Sequence, residues 1–206
     1  KSHVGTVQQF GVLIGLSKIP EPKKVELVPY ALSSFSQGGN EYNIGADARY
    51  GISSSAVLNA TVNPDFGQVE ADPSVLNLTA YETFYEERRP FFSEGANFFQ
   101  HRLQLFHSRR IGNAPGYFSP DSGELENVPG NTTILGAFKL LGTTKSGINY
   151  GLINASTAEE LGTLTNPNGQ KEDFVVEPQT NYAVGRFEKP IINNYSRLGV
   201  MVTDVR

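Results

Sequence analysis

Residues 43–53, NIGADARYGIS, alternate strictly: Ile44, Ala46, Ala48, Tyr50 and Ile52 fall on one side of an extended chain, Gly45, Asp47, Arg49 and Gly51 on the other. Successive side chains of a strand point to opposite faces, so this is a strand with one apolar and one polar face. After Ser53-Ser54-Ser55, Leu58, Ala60 and Val62 alternate with Asn59, Thr61 and Asn63, and the two segments read as a hairpin. A sheet made of such strands needs an apolar medium on one side and a polar one on the other.

The same reading extends along the chain. TILGAFKLLG and GINYGLINAS flank the turn-like TTKSG, and NYAVGRFEKP and SRLGVMVTDVR flank IINN. Earlier strands are expected in FGVLIGLS and KVELVPYALSSF, where Pro29 points to an edge or a bulge. Ala158 to Asp173 reads as a polar, outward-facing loop. One segment breaks the pattern. Asp72-Pro73 offers a helix cap and first turn, Leu78, Tyr81 and Tyr85 follow at helical spacing, and Pro90 drives Arg89 out of helical geometry. One short helix is therefore expected near 73–88. The fold class is all-β, an antiparallel meander of hairpins, with residues 1–206 as a single domain.

Several function classes are disfavoured. A net charge of −4 gives no basic field for a nucleic-acid backbone. The absence of cysteine removes disulfides, thiolate metal sites and cysteine nucleophiles together. No run approaches the roughly 20 apolar residues of a spanning helix, whereas a membrane β-barrel needs only about 10 alternating residues per strand.

The chemistry-bearing residues concentrate between Asn63 and Gly95. Asp65, Glu70 and Asp72 are closely spaced oxygen donors, but they lack a calcium-loop pattern, and turn and helix capping account for Asp65 and Asp72. Glu82, Glu86, Glu87 and Glu94 offer carboxylate pairs of the kind glycosidases use. Charge compensation by Arg88 and Arg89 is the simpler account, with Glu86 to Arg89 as a helical ion pair. Arg109 and Arg110 complete the expected ion network. Phe91, Phe92, Phe98 and Phe99 suit either stacking on a sugar ring or anchoring a segment to a sheet. His101 and His107, six residues apart, would sit roughly 20 Å from each other on a strand, too far to share an ion. No catalytic residue, metal or cofactor is assigned.

The block NPDFGQVEADPSVLNLTAYETFYEERRPFFSEG, followed by SRRIG, ILGAFKLLG and VEPQTNY, resembles a bacterial family of unknown function whose members look like outer-membrane β-barrels. In that family the barrel region follows a module similar to family-nine carbohydrate-binding domains. The resemblance implies that this chain is part of a longer barrel region, with outer-membrane lipid and carbohydrate as its partners.

The expectation is thus a non-enzymatic outer-membrane barrel segment in which Asn63 to Gly95 folds inward as a plug, serving passage or capture of a solute. Its rival is a soluble secreted or periplasmic β-rich domain that binds or cleaves glycans, using Glu82, Glu87 and Glu94. What covers the apolar face separates the two: lipid in one case, a second sheet in the other.

Overall fold

Seven strands hydrogen-bond into one antiparallel sheet in the order β1-β2-β3-β5-β6-β9-β10. They are β1 (Val25–Ser36), β2 (Gly39–Ser53), β3 (Ala56–Val62), β5 (Ile134–Thr143), β6 (Asn149–Thr157), β9 (Thr180–Pro190) and β10 (Arg197–Val205). The computed structural model describes residues 24–36, 39–64, 87–101, 103–116, 118, 120–191 and 196–206. The expected strand FGVLIGLS lies outside the described residues. Among those described, β1 and β10 each pair with one neighbour, so the sheet has two edges and is not closed. Pro29 sits on β1, an edge position where its missing N–H is tolerated.

Local chemistry sets the hairpins. Between β2 and β3 the Ser55 amide donates to Ser53 Oγ at 3.2 Å, and Ser55 Oγ donates to the Thr143 carbonyl at 3.0 Å. Between β5 and β6 the Thr144 amide donates to the Ile148 carbonyl at 2.8 Å, and Gly147 takes the left-handed conformation that the turn requires, with φ +79°.

A smaller sheet joins β4 (Glu124–Glu126), β7 (Glu160–Thr165) and β8 (Lys171–Glu177) in the order β4-β7-β8. It corrects the expected loop over Ala158 to Asp173, most of which is the hairpin β7–β8. The NPNG stretch is its turn: the Asn166 amide donates to the Gln170 carbonyl at 2.8 Å, and Gly169 has φ +79°. Exposed Lys171, Glu172 and Asp173 hide the strand in the sequence, while buried Leu164 and Val176 hold it in the structure.

The helix expected near 73–88 falls on 73–86 outside the described residues, and Glu87, Arg88 and Arg89 are not helical. The α-helix among the described residues is α1, Pro90–Ser93, which begins at the proline expected to end one. Both outcomes follow from one property. Proline excludes helix from the residue before it and fits the first helical turn itself.

The burial of the large sheet is inverted. One face carries Val25, Leu27, Tyr42, Ile44, Tyr50, Leu198, Val200 and Val202, all of them exposed, with Ile44 at 73% and Leu198 at 67%. The other face carries Asn59, Thr61, Lys139 and Thr157, all buried. What buries them is a segment from the long connection between β3 and β5. Its Phe92 and Ile111 pack on Ile134, Ala137 and Ala155, and its Phe99 packs on Ile153 and Val184.

Gly151 on β6 makes room for this segment, since a Cβ there would stand 2.5 Å from Phe98 Cδ1 and 2.8 Å from Phe99 Cζ. Gly151→Ala should loosen the segment by about 1–3 kcal/mol through overpacking. The expected result is faster protease cleavage near Gly95 with strand content by circular dichroism unchanged; equal cleavage rates would show that the fit is not tight.

Candidate functional site

Glu87 to Ile111 reach the polar face of the sheet by a series of short turns. Arg89 is extended, with φ −68° and ψ 124°, α1 follows, and Gly95 reverses the chain with φ +70°. A Cβ on Gly95 would also run into the Leu141 side chain, so glycine is required there by both conformation and space. Short 3₁₀ turns follow at Ala96–Phe98 and Ser108–Arg110.

Arg89 organises the segment internally. Although only 4% exposed, it donates from Nε and Nη2 to the two oxygens of Glu87 at 2.8 and 2.7 Å. It also donates to the carbonyls of Ile111 at 2.6 Å and Ser108 at 2.7 Å, and its guanidinium lies 4.4 Å from the centre of the Phe92 ring. Ser108 Oγ adds a bond to Glu87 at 2.6 Å. Burial would raise the Glu87 carboxyl, but the hydrogen bonds and charge of Arg89, with Ser108, outweigh it and hold the group below its ordinary 4.5. Arg89 thus closes the segment on itself, with Glu87 as its partner; Glu86, expected in that role, lies outside the described residues.

Contacts with the sheet run through further residues. Arg49 on β2 donates to Glu94 Oε1 at 2.6 Å, and Asn59 on β3 donates to Oε2 at 2.8 Å. Lys139 on β5, 1% exposed, donates to the carbonyls of Phe91 and Glu94, and its ammonium lies 5.0 Å from the Phe91 ring centre. Arg186 on β9 donates to the carbonyls of Phe98 at 2.5 Å and Gln100 at 2.6 Å, and to Glu188 at 2.9 Å. These cations hold the segment by its backbone oxygens and one carboxylate. Charge-assisted bonds of this kind are about twice as strong as neutral ones.

The residues named from sequence therefore divide. Asp65, Glu70, Asp72, Glu82 and Glu86 lie outside the described residues. Glu87, Arg89 and Glu94 are brought into the docked segment. Arg88 is exposed beside it, and Arg109 and Arg110 form the second 3₁₀ turn. Phe92 and Phe99 are buried, and the Phe91–Phe92 and Phe98–Phe99 pairs meet edge to face at 5.0 and 5.6 Å. Lys139 and Arg186 carry no signal of a role in the sequence, and Asn59 reads there only as a polar position of its strand. A lone basic residue in an alternating strand has no local signature, and their partners are 45, 88 and 35 positions away.

Arg89→Ala should leave Glu87 buried without its partner, a loss of about 3–5 kcal/mol to the segment. Arg88→Ala should change it by less than about 1 kcal/mol, because that side chain is exposed. Amide hydrogen exchange over residues 90–111 is the measurement, and equal protection in the two variants would contradict the division of roles.

The pH dependence follows in sign. A carboxyl lowered in the folded state stabilises fully above its ordinary 4.5, and the contribution disappears as pH falls through the lowered value. Protection over the segment should therefore fall with acidification below 4.5, and Glu87→Gln should flatten that fall.

No curated protein and no solved structure matches the chain. A family model does, over residues 21–205, and by that match the chain belongs to the family described as a domain of unknown function, DUF5916.

Proposed function

We propose that the chain forms part of the wall of an outer-membrane β-barrel, with the segment from Glu87 to Ile111 docked on the lumen side as a plug. Its role is passage or capture of a solute at the cell surface, carbohydrate being the class implied by the sequence resemblance. The observation that carries this is the inverted sheet: nothing among the described residues covers its apolar face, while its polar face is packed and hydrogen-bonded. In water such a face is a large unburied patch of the kind that marks an interaction surface. In lipid it is the outer surface of a barrel, with the polar interior opposite.

The pattern of the apolar face favours lipid over a second sheet. Leu27, Ala48, Ala60, Phe138, Asn154, Ala183 and Asp204 lie side by side across the strands, so one row passes from apolar at β1 to charged at β10. On β2 the apolar positions continue beyond that row to Ile44 and Tyr42, whereas on β10 they stop before it at Val202. The apolar band therefore runs oblique to the strands. Barrel strands tilted by about 35–45° meet a bilayer of fixed thickness in this way.

Two measurements test the proposal. The full-length protein should fractionate with outer membranes and require detergent, and a stable detergent-free monomer would overturn it. Val200→Arg supplies a magnitude: about 2–4 kcal/mol of destabilisation if the residue faces the middle of a bilayer, against about 0.5 kcal/mol or less on a water-exposed surface.

A further inference from the structure

Arg49, Asn59 and Lys139 stand side by side on β2, β3 and β5, and Arg186 lies on the same face of β9, two residues beyond Val184 of that row. Beneath the docked segment this strip meets oxygen: the carboxylate of Glu94 and the carbonyls of Phe91, Glu94, Phe98 and Gln100. Two further groups point to a ligand. Asn59 Oδ1 and Thr61 Oγ1 are buried on this face without a hydrogen-bond partner among the described residues. Buried polar atoms left unsatisfied are rare, and an amide oxygen accepts only from a donor.

We propose that this strip is a solute subsite, occupied in the plugged state by the segment's own oxygens, and that its ligand is a polyhydroxylated organic anion. The assignment, which rests on the plug reading above, follows from exchange. Lys139 is 1% exposed because the segment covers it, so a ligand that offers the same acceptors competes with the segment for the strip and favours its release. An anionic group replaces Glu94 at Arg49 and the carbonyls at Lys139 and Arg186. Ligand hydroxyls supply the donors that Asn59 Oδ1 and Thr61 Oγ1 lack. A neutral polyol meets only the second requirement, and a simple inorganic anion only the first.

The test is protease cleavage near Gly95 in the full-length protein in detergent, with glucuronate, glucose or chloride added at one concentration. Glucuronate should accelerate cleavage at least tenfold over glucose and over chloride. Arg49→Gln, which removes the strip's half-exposed cation and leaves Lys139 and Arg186 in place, should erase most of the difference. Equal acceleration by chloride would mean salt screening, and equal acceleration by glucose would mean that charge is not read; either result overturns the subsite. Membrane fractionation decides the barrel separately, so a soluble monomer that still responds to glucuronate would sink the barrel and keep the subsite.

Discussion

A lysine with almost no exposure, set in the middle of a sheet, has to be given acceptors, and Lys139 receives them from the backbone of a segment far from it in sequence. The rest of the arrangement follows from that requirement. A sheet face bearing Asn59, Lys139 and Arg186 cannot rest on an ordinary apolar core, because their donor groups would lose water without replacement. The docked segment supplies both kinds of partner: carbonyls and a carboxylate for the polar groups, and five phenylalanines, Phe91, Phe92, Phe98, Phe99 and Phe106, for the aliphatic residues between them. The sheet's remaining apolar side chains, Ile44 and Val200 among them, lie exposed on the opposite face.

Arg89 and the sheet's cations do separate jobs. Arg89, with Glu87 and Ser108, gives the segment a fixed shape from Glu87 to Ile111. Arg49, Lys139 and Arg186 then hold that shape against the strands. The Arg49–Glu94 pair is about half exposed and adds little alone, so the hold rests mainly on the buried lysine and the packed rings.

The hairpins were legible because alternation is a local signal: Ile44 to Ile52 and Leu58 to Val62 are the strands their pattern implies. Alternation identifies two faces without saying what covers either, so the burial of the polar side depends on a segment distant in sequence. The segment's charges were also visible, but their pairing was not. Helical spacing suggested Glu86 for Arg89, whereas an extended chain before Pro90 brings Glu87 into reach two positions away. The hairpin β7–β8 was read as a loop because its buried residues, Leu164 and Val176, are few and its exposed end is charged.

The insertion point of the segment has a consequence for how the chain folds. The pairings β1–β2–β3 and β5–β6 join neighbours in sequence through short turns. The pairing β3–β5 closes a loop from Val62 to Ile134 that contains the whole docked segment. Closure entropy grows with loop length, and distant pairings lag behind local ones in forming. The β3–β5 junction is thus a seam between two locally assembled halves. Lys139 lies on that seam, paired directly with Asn59 across it. Zipping the seam and burying the lysine are one event, so the order of assembly ties completion of the sheet to seating of the segment.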